Sequence, residues 1–94
     1  MLFEWDERKN RHNQKKHGIS FEEAITIFEQ PGYYISADDE NKNPELRFIA
    51  IGISNLNRQL LVVHCYRNRN NDEKIRIISA RKTTKSEQKD MEEL

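Results

Sequence analysis

The stretch NRHNQKKHGISFEEA, residues 10–24, decides how this chain folds. It begins inside a longer segment, from Glu7 to His17, that has no apolar side chain. The segment is still predicted to be a helix, because Asp6 can cap its start and Gly18 suits the left-handed position that ends a helix. A helix with so little to bury is predicted to act at a surface, with its ends anchored by neighbouring apolar residues.

A second helix is predicted to start directly after the first. Ser20 and Glu23 have the spacing of a capping box, in which the hydroxyl serves the first turn and the carboxylate reaches back. Apolar residues follow at helical spacing on one face, namely Phe21, Ala24, Ile25 and Phe28. Pro31 and Gly32 end this amphipathic helix.

The rest of the chain predicts mainly β structure. Strands are expected at 2–5, 33–37, 46–54, 59–67 and 74–81, with a polar loop over 38–45. A short C-terminal helix is expected after Thr84, which can cap it, with Glu87 three residues later. The order favours an α+β fold of two layers, in which an antiparallel sheet of four or five strands packs against the two N-terminal helices. We expect a single domain over residues 1–94.

Alternation along the strands predicts which side chains share a face. Leu61, Val63, Cys65 and Arg67 are expected on one side of their strand, and Ile75, Ile77, Ser79 and Arg81 on one side of the next. A hairpin between these strands would place Arg67 and Arg81 at opposite ends. The pattern leaves open which side faces the helices.

Charge is unevenly distributed along the chain. The formal net charge is zero, but residues 46–85 contain nine Lys/Arg and two Asp/Glu, whereas residues 21–45 contain one and seven. A local basic surface can attract phosphate even when the whole protein is neutral. The alternative is that these charges form ordinary solvated faces of strands.

Composition excludes several classes of protein. The single Cys65 excludes an internal disulfide and a multi-cysteine zinc site. His12 and His17 are five residues apart, which is not a metal-ligand spacing, and no glycine-rich phosphate loop is present. We therefore expect no metal and no cofactor. The N-terminus has no apolar core of a signal peptide and no apolar stretch reaches membrane-spanning length, so the cytoplasm is the expected location.

The remaining chemistry is a set of cations at the ends of elements. Lys16 and His17 end a helix, and Arg67 and Arg81 each close a strand. Together they suit cleavage of an RNA phosphodiester by the 2′-hydroxyl, since His can move protons and Arg can stabilise the extra negative charge of the phosphorane. Each residue alone also has an ordinary structural interpretation, and His64, inside an apolar strand, is interpreted as a core histidine.

Several segments resemble the BrnT toxin family. They are FEWD at 3–6, Lys9, Asn13, KKHGISFEEA at 15–24, RFIAIG at 47–52, LLVVHCYR at 60–67 and IRIISARKTTKSE at 75–87. The resemblance spans nearly the whole chain in the same order. It departs at Thr83 and Thr84, where an Ala is common, and in the strongly acidic loop at 38–45.

The resemblance implies a RelE-like fold and a metal-independent endoribonuclease that blocks translation as the toxin of a type II toxin–antitoxin pair. It implies a BrnA-like partner, an antitoxin whose ribbon-helix-helix part binds operator DNA. Catalytic roles are implied for Lys16, His17, Arg67 and Arg81, and RNA-binding roles for Lys9, Asn13, Arg47, Ser79 and Glu87. Two alternatives stay open: a non-catalytic binding module or corepressor that acts only in a complex, and a DNA-binding protein, which lacks a convincing recognition helix.

Overall fold

The computed structural model describes residues 2–38, 45–69 and 72–92. The elements run, in chain order, β1 (Leu2–Glu4), α1 (Glu7–His17), α2 (Phe21–Ala24), a 3-10 turn (Ile25–Glu29), β2 (Tyr34–Ala37), β3 (Phe48–Ile53), β4 (Gln59–Arg69), β5 (Asp72–Lys82) and α3 (Lys85–Glu92). The predicted order of helices and strands is confirmed. Most of the predicted loop over 38–45 lies outside the described residues.

The five strands form one mixed sheet in the order β1-β5-β4-β3-β2. Strands β2 to β5 are an antiparallel meander, as predicted, but β1 pairs with β5 in parallel. The prediction of a wholly antiparallel sheet is therefore wrong at this edge. A short loop fixes the relative direction only of strands that follow one another in the chain. Because nearly the whole chain lies between β1 and β5, no short loop sets their relative direction.

One face of the sheet is covered by α2 and the 3-10 turn. Phe21, Ala24 and Ile27 are fully buried there and belong to the same core cluster as Val62 and Ile77. Full burial of one such side chain contributes about 1.5–3 kcal/mol, so this contact stabilises the fold strongly. The second helix is shorter than predicted, because the chain tightens into the 3-10 turn after Ala24.

Only half of the predicted capping box at α2 is present. The Glu23 amide donates to the Ser20 hydroxyl at 3.0 Å, as expected. The Glu23 carboxylate instead accepts from the Ser54 hydroxyl at 2.7 Å and from the Arg58 guanidinium. Glu23 is only 6% exposed, so its carboxylate is a buried anion that the arginine compensates.

Helix α1 lies along the edge of β5, beyond the point where β1 ends. The Asn13 side chain donates to the Ala80 carbonyl at 2.7 Å and accepts from the Ala80 amide at 3.2 Å, so it continues the pairing of the β5 edge. The Asn10 side chain accepts from the Phe21 amide at 2.8 Å. Two buried asparagines thus anchor a helix that has no apolar residue. Both helices were predicted to cover the sheet face, but α1 lies along its edge and α2 covers the face together with the 3-10 turn.

A β-bulge in β5 changes which residues share a face. Val63 pairs with Ser79 but His64 pairs with Ile77, so Ile78 is an extra residue. Ile77 and Ala80 consequently both face the core, while Ser79 and Arg81 face the opposite side with Arg67. The predicted common face for Ile77 and Ser79 is wrong, because strict alternation does not allow for the bulge.

Helix α3 begins with the predicted capping box. The Glu87 amide donates to the Thr84 hydroxyl at 3.2 Å, and the Thr84 amide donates to the Glu87 carboxylate at 2.7 Å. This reciprocal pair explains why a polar C-terminal segment is helical here. Across residues 2–38, 45–69 and 72–92, the structure has no helix of the length and apolarity that a membrane crossing requires.

Candidate functional site

A cavity of about 310 Å³ lies where α1 meets the sheet at β5. Its lining is mostly polar and consists of Lys9, His12, Asn13, Lys16, His17, Arg47, Ile78 and Ser79. Six of these belong to the nine site residues that the sequence predicts. The structure thus brings together residues that are far apart along the chain.

Helix geometry explains the α1 side of this cavity. Four predicted site residues follow one stripe of the helix surface, because their successive spacings are four, three and one residues. They are Lys9, Asn13, Lys16 and His17. Gly18, at φ 72°, ends the helix in the left-handed conformation, and its amide donates to the Gln14 carbonyl at 2.8 Å. The stripe therefore ends in the Lys16–His17 pair.

His12 lies on the same stripe, and the sequence reasoning missed it as a site residue. It is three residues after Lys9 and four before Lys16, the spacing that places helix side chains on one face. That spacing was the signal that could have found it. The cavity consequently has two imidazoles, His12 and His17.

The sheet side of the cavity depends on the bulge. Because Ile78 is the extra residue, Ser79 turns away from the core and lines the cavity. Arg47 comes from the residue before β3 and reaches the same cavity, although β4 lies between β3 and β5. Three elements with different sequence positions therefore contribute to one site.

The described lining residues give the cavity a strongly positive character. Lys9, Lys16 and Arg47 are basic, and none of the described lining residues has a carboxylate. A concave surface with charge of one sign concentrates counter-ions, so this cavity suits a phosphate group. Elsewhere in the described residues, no three His, Cys, Asp or Glu side chains converge as metal ligands.

Asn13 lines the cavity, but its hydrogen-bonding capacity is already used. Besides its two bonds to Ala80, its amide nitrogen donates to the Ile19 carbonyl at 2.8 Å, and the residue is 6% exposed. Its contacts therefore indicate that Asn13 positions α1, in contrast to the RNA-binding role predicted from the resemblance.

Arg67 lies elsewhere on the open sheet face. It pairs with Lys74 across the hairpin, whereas Arg81 pairs with Leu61, so six residues of β4, about 20 Å, separate the two arginines. The Arg67 guanidinium is 3.1 Å from the Glu45 carboxylate. A hydrogen bond from Cys65, followed by the charge of Arg67, lowers the pKa of Glu45. Arg67 thus does not line the α1–β5 cavity, and it lies apart from Lys16 and His17, with which it was predicted to share catalysis.

Arg81 is held by Glu87. Two parallel hydrogen bonds of 2.8 Å join its guanidinium to the carboxylate, and this pair connects β5 to α3. The Arg81 guanidinium is the main reason that the pKa of Glu87 is lowered to about 2. Both residues of this pair belong to the predicted site, yet neither lines the cavity.

His64 is a core histidine, as the sequence indicates. Its ring packs between Phe28, Phe48 and Tyr66, with centroid distances of 5.3, 6.1 and 5.3 Å. Burial lowers its pKa, so the neutral form is favoured. It is therefore excluded from the candidate site.

Fold and site together define a small α+β protein with a mixed sheet and a basic cavity of about 310 Å³ at one edge. Residues 5–87 match the family model described as the ribonuclease toxin, BrnT, of type II toxin–antitoxin systems. The chain therefore belongs to the BrnT ribonuclease toxin family.

A solved structure also has this fold. The ribonuclease toxin BrnT of Brucella abortus superposes with a TM-score of 0.62 at 20% sequence identity, covering 90% of this chain and 100% of the Brucella chain. At this identity the likeness supports the fold. No curated protein matches the sequence.

Proposed function

We propose that this chain is an endoribonuclease toxin that cleaves RNA in the α1–β5 cavity and thereby inhibits translation in the cytoplasm. The observation that carries the proposal is that two imidazoles, two lysines and one arginine line one cavity, among whose described lining residues none is acidic. A carboxylate there would repel the phosphate backbone, whereas these cations attract it.

Arg47, Lys16 and Lys9 are proposed to hold the scissile phosphate. During cleavage the phosphorane gains negative charge, so a cation that is already in position lowers the barrier. Arg47 suits the equatorial oxygens because its planar guanidinium can donate two parallel hydrogen bonds. Lys16 and Lys9 add charge from the α1 side, and the Ser79 hydroxyl is available as a further donor.

His17 is proposed to move the proton. The 2′-hydroxyl loses its proton to a base, its oxygen attacks phosphorus, and the bond from phosphorus to the 5′-oxygen breaks as that oxygen gains a proton. The products are a 2′,3′-cyclic phosphate and a 5′-hydroxyl. Imidazole can act as base and as acid near neutral pH, and His12 supplies a second imidazole for the other half of the transfer. No metal is required by this scheme.

Arg67 and Arg81 are proposed to contribute at a distance from the cleaved bond. Arg81 orders the end of β5 that follows Ser79, through its pair with Glu87. Arg67 contributes positive potential to the open sheet face, partly offset by Glu45. Their predicted catalytic roles stay predictions, which the variants below distinguish.

The toxin family implies an antitoxin, which we propose to be a BrnA-like ribbon-helix-helix protein that binds operator DNA. Complementary charge between its acidic segment and the basic cavity would accelerate association and block RNA access. The association rate constant is then expected to fall as salt concentration rises. A rate constant that is independent of salt would contradict this arrangement.

A second candidate function is a non-catalytic toxin-like module that acts only within a complex. The pairing of Arg67 with Glu45 and of Arg81 with Glu87 favours it, because fewer cations reach the cavity than the sequence predicts. Such a module would bind its partner and leave RNA intact.

Single-turnover cleavage in EDTA separates the two candidates. Purified protein is mixed with a labelled single-stranded RNA and with the same strand carrying 2′-deoxyribose, and the product ends are identified by mass spectrometry. The proposal predicts 2′,3′-cyclic phosphate ends from RNA only. RNA that stays intact would support the non-catalytic module, and cleavage of the deoxy strand would exclude the 2′-hydroxyl mechanism.

A further inference from the structure

The outer face of α1 is a second basic surface that continues from the cavity. Arg8, Arg11, His12, Gln14 and Lys15 line an open groove of about 550 Å³ there. His12 belongs to this groove and to the cavity, so the two share a wall. The groove contains three cations that the proposed cleavage does not use.

Helix geometry makes the two surfaces continuous. At about 100° per residue, the Arg8–Arg11–Lys15 stripe lies about a third of a turn from the Lys9–Lys16 stripe, with His12 between them. From Arg8 to Lys15 the helix is about 10 Å long, which a stacked strand covers with about three nucleotides.

The carboxylates at the start of α1 bind neutral donors and form no ion pair with the described cations of this groove. The Glu7 carboxylate accepts from the Trp5 indole at 3.1 Å and from the Asn10 amide at 3.2 Å. Asp6 caps the helix through the Arg8 amide at 2.8 Å. Within the described part of the chain, no ion pair involves Arg8, Arg11 or Lys15, and all three side chains are exposed.

We propose that the Arg8–Arg11–Lys15 face of α1 is an RNA track that binds the phosphates of nucleotides flanking the one cleaved in the cavity. The inference rests on the proposed ribonuclease function and deepens it, since it makes a single-stranded RNA several nucleotides long the preferred substrate. Charge complementarity selects the occupant: a row of exposed cations beside a phosphate site matches a polyanionic strand.

Binding of 2′-O-methylated RNA, which lacks the attacking hydroxyl, tests the track. The affinities of a 12-mer and a dinucleotide are measured by titration at several salt concentrations for wild type and for the triple variant R8Q/R11Q/K15Q. The matched control K82Q/K85Q/K89Q removes the same charge from exposed residues at the end of β5 and on α3. Gln favours helices, so α1 should persist, and far-UV circular dichroism verifies this.

The track predicts an affinity for the 12-mer at low salt that is at least about tenfold weaker in the α1 variant. The slope of log K against log salt should become shallower by about 2, because three phosphate contacts are lost at about 0.7 each. Dinucleotide binding and cleavage of an unmodified diribonucleotide should equal wild type, and the control variant should change neither. R8K/R11K, which keeps the charge, should bind the 12-mer like wild type.

If R8Q/R11Q/K15Q binds the 12-mer with the same affinity as the control variant, the proposed RNA track is wrong. This face of α1 would then be assigned to binding a protein partner. The proposed function fails separately, if wild type leaves an unmodified single-stranded RNA 12-mer intact in EDTA. A wild type that neither binds the 12-mer nor cleaves RNA contradicts both.

Discussion

Basic side chains are arranged differently in the α1–β5 cavity and in the two arginine–carboxylate pairs outside it. In the cavity, Lys16 and His17 lie among other basic groups, and none of the described lining residues is acidic. Arg67 and Arg81, by contrast, are each within 3.1 Å of a carboxylate. Positive charge that is paired with a carboxylate stabilises the fold, whereas several basic groups gathered around one cavity favour an anionic ligand. We therefore propose that RNA is cleaved in the cavity and that the Arg67–Glu45 and Arg81–Glu87 pairs stabilise the fold.

The largest effect is expected from His17→Ala. Loss of a positioned acid or base slows a proton-transfer reaction by about 10²–10⁴-fold, so single-turnover RNA cleavage should fall by that factor. His12→Ala should lower the rate by a similar factor if the second imidazole completes the transfer. Thermal unfolding should be nearly unchanged for both variants, since neither side chain is buried. Wild-type cleavage by His17→Ala would remove this residue from the site.

Arg47 and Arg67 provide the sharpest comparison of the two regions. Arg47→Ala should reduce cleavage by about 10²-fold, because a phosphate donor is lost, and Arg47→Lys should restore only part of the rate. Arg67→Ala should change the rate by less than about tenfold, since it acts on the cavity only through long-range potential. Equal losses in both alanine variants, measured under single-turnover conditions, would contradict the separation of the regions.

Asn13→Ala should be the most damaging change to the fold near the site. It leaves the Ala80 amide and two carbonyls without their partner, at about 3 kcal/mol in total. For a domain of this size the melting temperature should fall by roughly 12–24 °C. Calorimetry on Asn13→Ala and on Gln14→Ala, an exposed amide on the same helix, measures the difference. Equal stability of the two variants would show that Asn13 does not anchor α1.

A smaller effect is expected from the Arg81–Glu87 pair, and it depends on pH. The pKa of Glu87 is lowered from 4.5 to about 2 in the folded protein, so the pair stabilises the fold above pH 4.5 and loses its contribution as pH falls toward 2. Because the pair is partly solvated, we expect about 1–2 kcal/mol at neutral pH. Urea unfolding of wild type and Glu87→Gln should differ by this amount at pH 7 and converge near pH 2. A constant difference would mean that ionisation of Glu87 is not its cause.

Arg81→Ala also tests the predicted catalytic role of Arg81. If the residue acts by ordering β5 and α3, Arg81→Ala and the double variant Arg81→Ala/Glu87→Ala should lose equally little activity, since both lack the same pair. A loss near that of His17→Ala in both would restore the catalytic role.

The elements were predictable where local chemistry decides them. Asp6, Gly18, Ser20 and Thr84 mark helix ends through side-chain caps or a left-handed residue, and the structure confirms all four. Strand positions followed from apolar runs in the same way. Each of these signals involves residues three or four positions apart, so it can be recognised in the sequence without knowledge of the tertiary structure.

Features set by distant contacts were not predictable. The parallel pairing of β1 with β5 and the bulge at Ile78 arise from contacts between segments far apart in the chain. The bulge alone changed the face of Ser79 and Arg81. The anchoring role of Asn13 was likewise hidden, because nothing local distinguishes an amide bonded to Ala80 from a solvent-exposed one.

We propose that RNA is held in the α1–β5 cavity, at a distance from the Arg67 end of the sheet. Titration of the protein, labelled with ¹⁵N and ¹³C, with a short 2′-O-methylated RNA and observation by NMR tests it directly. We expect the side-chain signals of Lys16, His17 and Arg47 and the amide signal of Ser79 to shift together. The signals of Arg67 and Glu45 should stay in place. Shifts concentrated at Arg67 and Glu45, with His17 unchanged, would contradict it.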